Sequence, residues 1–367
     1  MRARAEYKGD VRRRCLIVVL AIVAVLAVAG PAVSIATEAP SWSSPVLVDH
    51  HPHHPNVTEV FLAGVSCPSQ SLCIAVGRYG AFESSDPTAV VPTWTTVRDS
   101  PLYMDEVACP STSLCVATRH LDAIQEVVSF NPTNSASPSF RSTHLSVGRF
   151  SCPAITLCVA SDGAGGLRIS TNPGAIHPVW RHYPTVYGTR ESSGLSAISC
   201  ASVRLCLGVD TLGQLVTSDD PGANVPHWHV HFAPGPYDHD SICRYLPITV
   251  ASCVSPAFCM VADQDGKTFT SADPLAASPT WRSQPAPANI HTLSCPSTHL
   301  CVGDIPDATV VTTNTPDAMR PSWEHTTVAD EFGDDAGGPT TTLTCVSQSM
   351  TCVVVDGYGY AIVGSAL

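Results

Sequence analysis

Fourteen of the chain's sixteen cysteines fall into seven close pairs, and that regularity leaves few folds open. The pairs are Cys67/Cys73, Cys109/Cys115, Cys152/Cys158, Cys200/Cys206, Cys253/Cys259, Cys295/Cys301 and Cys345/Cys352; six are C-x5-C and the last is C-x6-C. The text around each pair recurs too, from "VSCPSQSLCIAVG" through "ISCASVRLCLGVD" to "LTCVSQSMTCVVVD". Copies start 42 to 53 residues apart. At such a period each repeat is one supersecondary unit that buries its faces only against neighbours.

Each copy continues with a Gly-containing turn, a short strand, and a second signature: [ST]-x-[DNT]-P, four or five residues, then P-x-[WF]. The aromatic positions are Trp94, Phe140, Trp180, Trp228, Trp281 and Trp323. They number six for seven cysteine pairs. The seventh lies at the other end, where Pro40-Ser41-Trp42 precedes the first pair. The expected fold is all-β: four antiparallel strands per copy, the fourth carrying the aromatic, in a seven-bladed β-propeller over residues 37–367. The strand around Trp42 is expected to complete the seventh blade and close the ring.

Each pair brackets a tight turn between first and second strands. A disulfide there closes about seven residues and contributes about 2 to 2.5 kcal/mol in the loop-entropy account. Structural zinc needs four ligands, which seven dispersed two-cysteine sites do not assemble. A redox role lacks the helix-start context that lowers a thiol pKa. Cys15 and Cys243 are left over, the latter within "PGPYDHDSICRYLP", where a free thiol, an intermolecular bridge and a buried small side chain all remain open.

The first fourteen residues hold Arg2, Arg4, Lys8, Arg12, Arg13 and Arg14, and an uncharged stretch over residues 15–36 follows. This reads as an export segment, the one apolar helix expected. It is either a signal peptide, with Ser34-Ile35-Ala36 as cleavage context, or an uncleaved transmembrane anchor with a cytoplasmic N-terminus. Either way the remainder faces an oxidising exterior, secreted or at the cell surface. The whole chain has a formal charge of -12 and only two lysines, which argues against nucleic acid as a partner.

The order strand, Gly turn, strand, "S-x-D-P", Trp resembles the Asp-box propellers, which include sialidase-like and photosystem II assembly-factor-like proteins; the cysteine pairs resemble disulfide-stapled secreted actinobacterial propellers. The resemblance covers nearly all of the chain after the export segment. It implies that Asp86, Asn131, Asn172, Asp220 and Asp273, with Thr315 in the sixth copy, shape the turn between third and fourth strands. Pro replaces the family's usual Gly-rich segment here, so the resemblance speaks to fold rather than activity.

In a propeller, the disulfide turns and the S-x-D-P turns share one face. Function is expected on the other, built from second-to-third turns and inter-blade connections. From the turns come Arg78, Arg119, His120, Asp304 and Tyr358; from the connections come Tyr187, Arg190, Glu191, Tyr237, Asp238 and Arg244. Asp162, Asp210, Asp263 and Asp356 recur at one repeat position and read as turn formers. A sialidase-like hydrolase resembles this fold and would need an arginine triad, a Tyr–Glu pair and an acid Asp, but none of these residues sits in a matching motif. The clusters His50, His51, His53, His54 and His227, His229, His231 invite metal, and adventitious binding is the plainer account. The expectation is a binding module for an envelope protein or glycan, membrane-tethered if the N-terminal segment stays, with no cofactor and no catalytic constellation. The alternative is a sialidase-like glycoside hydrolase.

Overall fold

The computed structural model describes residues 41–50, 62–121, 124–133, 139–184, 194–210, 213–232, 248–306, 309–327, 342–347, 349 and 351–365. The expected N-terminal helix, Cys15 and Cys243 lie outside these residues. Among the described residues no helix is long and apolar enough to cross a membrane.

The protein is a seven-bladed β-propeller. Blade 5 shows the plan: Ile248–Ser255, Phe258–Asp263, Lys267–Ser271 and Arg282–Pro285 pair antiparallel in sequence order. Blades 1 to 6 repeat this four-stranded order. In the seventh, Thr342–Cys345, Cys352–Val355 and Tyr360–Ser365 are joined by Ser41–Trp42 and Val46–Leu47, which both pair with Tyr360–Ser365.

Burial explains the sequence pattern. Second strands such as "LCIAVG" and "FCMVAD" are buried along their whole length, because each lies between two strands of its own sheet and between two neighbouring blades. Fourth strands such as "RSTH" and "EHTT" are polar because they form the rim. The core is a series of inter-blade layers: Leu205, Leu207, Val209 and Leu215 of blade 4, for instance, pack with Ile248, Val261, Phe269 and Trp281 of blade 5. One expectation needs adjusting. The aromatic stands just before the fourth strand rather than inside it, so Trp281 turns into the layer shared with the preceding blade. Trp42, packed with Leu300, Val302, Leu343 and Val354, occupies the equivalent layer between blades 6 and 7.

All seven cysteine pairs are disulfides: Cys67–Cys73, Cys109–Cys115, Cys152–Cys158, Cys200–Cys206, Cys253–Cys259, Cys295–Cys301 and Cys345–Cys352. Their placement refines the expectation of a bridged turn. Every cysteine lies within a strand, so each bridge runs across the sheet between first and second strands, one step inside the turn. Cys200 faces Cys206, Cys253 faces Cys259 and Cys345 faces Cys352 in the ladder. The two ends of a bridge also differ in setting. The second cysteine of each pair, Cys73, Cys115, Cys158, Cys206, Cys259, Cys301 and Cys352, is wholly buried because the second strand is covered on both sides. These bridges are therefore core groups as well as staples, closed to solvent reductant from the second-strand side.

The serine before the first cysteine of a blade makes a bond of its own. Its hydroxyl accepts the backbone N–H of the first cysteine in the next blade: Ser66 from Cys109, Ser151 from Cys200, Ser199 from Cys253, Ser252 from Cys295 and Ser294 from Cys345, at 2.9 to 3.1 Å. Blade 2 carries Ala108 at this position and offers Cys152 no hydroxyl. Ser252→Ala should therefore cost about 1 to 3 kcal/mol, because it strands a buried N–H, while Ala108→Ser should add up to about 1 kcal/mol. Urea midpoints of the two variants check both signs.

Candidate functional site

Two kinds of turn define the two faces. On the disulfide face, the S-x-D-P loops are closed by the side chain of their Asp or Asn: Asp86 Oδ1 accepts from Thr93 N–H and Oγ1–H at 2.9 Å each, and Asn172 and Asp273 accept from Val179 and Thr280 N–H at 2.9 Å. The Thr93 backbone and hydroxyl hold the Asp86 carboxyl below the usual carboxylate range. Asp220 does the same with His227, whose ring donates to Oδ2 at 2.8 Å. That hydrogen bond raises the His227 pKa. His227 thus belongs to a turn, while the His229 and His231 rings stack with centroids 6.4 Å apart. Among the described residues no group of three His, Cys, Asp or Glu side chains is placed to hold a metal ion.

On the other face, the recurrent aspartates close second-to-third turns. Asp263 Oδ1 accepts from Asp265 and Lys267 N–H, and Asp356 Oδ1 from Tyr358 and Tyr360 N–H, at 2.8 to 3.0 Å. Asp304, expected in a turn, lies instead within the second strand of blade 6 and accepts from the Thr292 N–H of the first strand at 2.7 Å.

The inner strands enclose a central cavity of about 290 Å³, lined mainly by small and apolar residues with Glu106, Arg149 and His291 among them. Burial pushes the Glu106 carboxyl up, and the Arg149 guanidinium, hydrogen-bonded to it, offsets part of the rise. A carboxyl raised on folding favours the folded state at low pH, and that contribution fades as pH rises from the unfolded-state value through the folded one. Glu106→Gln should therefore gain stability relative to wild type as pH climbs from about 4 to neutrality, and match it at the acid end. Melting temperatures across that range test the sign.

A second cavity of about 340 Å³ lies between blades 1 and 2, lined by Ala63, Arg78, Tyr103, Met104, Asp105 and His120; Ala63 also borders the central cavity. Here the structure brings together three of the residues expected from sequence. The Arg78 guanidinium lies over the rings of Tyr103 and Tyr79, 5.4 and 5.8 Å from their centroids. The His120 ring sits between Asp105, which takes its Nδ1, and Gln125, which meets Nε2; Ser146 in turn donates to Gln125. Arg119 positions rather than lines: its Nε donates to the Leu102 carbonyl at 3.1 Å, and its guanidinium pairs with Glu126 at 3.2 Å. Both His120 and Arg119 belong to the second strand of blade 2, Leu114–Leu121, rather than to the turn beyond it.

Tyr103 is held in a left-handed backbone conformation, φ 61°, uncommon for a bulky residue. Its N–H donates to the Arg78 carbonyl at 2.8 Å and its carbonyl accepts from His120 N–H at 3.0 Å. Its side chain is 39% exposed. A left-handed conformation costs a bulky residue about 1 to 3 kcal/mol, and here it is kept at an exposed aromatic beside the cavity. Tyr358 lies on the same face, in the second-to-third turn of blade 7. Tyr187, Arg190, Glu191, Tyr237, Asp238 and Arg244, with His51, His53 and His54, lie outside the described residues. Tyr103, Asp105 and Gln125 were missed by sequence reasoning; the signal available was an exposed-type tyrosine in the Pro-flanked connection "DSPLYMDE".

The arrangement offers a guanidinium stacked on phenol rings, an imidazole–carboxylate pair and an apolar floor. It suits hydrogen bonding and stacking with a polar group. No known family model matches the chain, and no curated protein matches it. Among solved structures it is similar to the WD40 β-propeller domain of Doa1, with a TM-score of 0.56, 11% identity, and coverage of 88% of this chain and 97% of that chain. That likeness concerns the fold alone.

Proposed function

We propose that the chain is an exported propeller that binds a protein or glycan of the cell envelope through the face opposite its disulfides, with the cleft between blades 1 and 2 as the contact. The observation that carries the reading is Tyr103: exposed, strained, and stacked with Arg78 at the rim of a cavity. Seven disulfides support an oxidising location. The arginine-flanked uncharged segment over residues 15–36 supports export. Pairing of Ser41–Trp42 with Tyr360–Ser365 supports closure of the ring by its N-terminal strand. The turn chemistry of Asp86, Asn172, Asp220 and Asp273 supports kinship with Asp-box propellers. The cleft lends the sialidase-like alternative nothing, since Arg119 is engaged by Glu126 and the Leu102 carbonyl instead of facing a substrate carboxylate.

The test is a glycan array and a panel of purified envelope proteins probed with wild type, Tyr103→Ala and His120→Ala. A ligand retained by wild type should be lost at least about tenfold by each variant, as for truncation of an aromatic hot spot, at unchanged melting temperature. Equal retention by all three moves the site elsewhere.

A further inference from the structure

The wall of the central cavity departs from the repeat at one place. The first strands of all seven blades line it, and each first strand is the end member of its own sheet, so one backbone edge is left unpaired by that sheet. The residue three positions before the first cysteine lines the cavity in every blade. Five blades have Gly, Ala, Val or Thr at this level, whereas blades 2 and 3 have Glu106 and Arg149. Opposite charges on neighbouring blades make one dipolar patch at a level that is otherwise uncharged.

The pair is more than a fastener. It spans a boundary where Ala108 leaves out the serine clasp, and one hydroxyl would close that boundary as it closes five others. A carboxyl taken out of water costs stability even when it is paired. Arg149 also keeps 61% of its side chain open, so after one N–H goes to Glu106 the rest of the guanidinium is left to the cavity.

In a ring of seven, the blade that faces the boundary between blades 2 and 3 is blade 6. There His291, 3.9 Å from the Asp304 carboxylate, lines the cavity with about half of its side chain open. On blade 5 next to it, Thr249 lines the same cavity, and its Oγ1 is buried without a hydrogen-bond partner among the described residues. A buried hydroxyl that the protein leaves unpaired is completed by a bound molecule or water. The volume of about 290 Å³ equals about ten waters at about 30 Å³ each, the bulk of one small polar molecule.

We infer that the central cavity binds one free α-amino acid with a polar side chain, its carboxylate on the Arg149 guanidinium, its ammonium on Glu106, and its side chain toward His291 and Thr249. A guanidinium in contact with a carboxylate is matched by a molecule whose own anion and cation share one carbon, and such a ligand brings no net charge into the cavity. A simple anion meets repulsion from Glu106, and a simple cation meets it from Arg149. The inference is independent of the ligand proposed for the cleft between blades 1 and 2, because neither Tyr103 nor His120 lines the central cavity.

The full chain is titrated calorimetrically with each of the twenty protein amino acids, and with the deaminated acid and the decarboxylated amine of any that bind. At least one amino acid with a polar side chain should bind, and both of its truncated forms should bind at least about tenfold more weakly, as for loss of a hydrogen bond between charged groups. Arg149→Gln should erase the preference for the amino acid over its amine, and Glu106→Gln the preference over its deaminated acid. A merely structural pair would leave both preferences in place. Where a single variant fails to fold, the double variant Glu106→Gln with Arg149→Gln, which strands no charge, should lose binding at least about tenfold. The proposal is overturned by a chain that binds no amino acid or only apolar ones, by a truncated form that binds as well as its parent, or by glutamine variants that keep the wild-type preferences.

Discussion

Full reduction should unfold the ring, and the reduced chain should not refold under conditions that restore the oxidised one. Each bridge closes a loop of about seven residues and contributes about 2.3 kcal/mol in the loop-entropy account, so seven contribute about 16 kcal/mol, against a net stability of about 5 to 15 kcal/mol for an ordinary domain. The effect should be graded, because the bridges lie in separate blades and short loops constrain the unfolded chain locally. Replacing Cys253 and Cys259 together by serine should cost about 2 to 3 kcal/mol, the upper end reflecting a hydroxyl where the Cys259 sulfur is fully buried. The paired replacements of Cys109 with Cys115, Cys152 with Cys158, Cys200 with Cys206 and Cys295 with Cys301 should fall in the same range, since Cys115, Cys158, Cys206 and Cys301 are buried as completely as Cys259. Urea titrations with and without reductant measure both effects. Labelling under denaturing, non-reducing conditions should find no more than two free thiols per chain, from Cys15 and Cys243; a refolding reduced chain or many reactive thiols would contradict the assignment.

The second large effect concerns the seam between the chain's two ends. Trp42→Ala should cost about 2 to 4 kcal/mol, since the indole fills the layer between blades 6 and 7 and a cavity would remain. Gly364 is the complementary probe. A Cβ there would meet three atoms of the Trp42 ring at 2.9 Å, so Gly364→Val should force the ring out and cost about 1 to 3 kcal/mol. The double variant should cost less than the sum, because both changes disrupt the same contact. Unfolding midpoints of the three proteins decide it: full additivity would mean that Trp42 and Gly364 are energetically unconnected.

The fold was legible in the sequence because its determinants are local and repeated. Cys67 and Cys73 announce a turn by spacing alone, and Asp86, Asp220 and Asp273 close their loops with residues only seven positions away. What crosses from blade to blade was harder to read. Ser66 stands beside Cys67 in plain view, yet its partner is Cys109, 43 residues on, and only the radial stacking brings them together. The same holds for the cleft. Arg78 and His120 stood out as polar residues at expected loop positions, whereas Asp105, Tyr103 and Gln125 matter through contacts set by register between strands and by one left-handed residue. Arg119 looked like a ligand-facing cation and turned out to hold the Leu102 carbonyl, a distinction that depends on where a flexible side chain ends rather than on where it begins.

The serine clasps between blades also give the ring a set of internal clocks. The amide protons of Cys109, Cys200, Cys253, Cys295 and Cys345 each point across a blade boundary, so each is released to solvent deuterium only when two neighbouring blades part. Cys152 faces Ala108 and lacks that guard. Its amide should exchange ahead of the other five, since no hydroxyl of blade 2 holds it across the boundary.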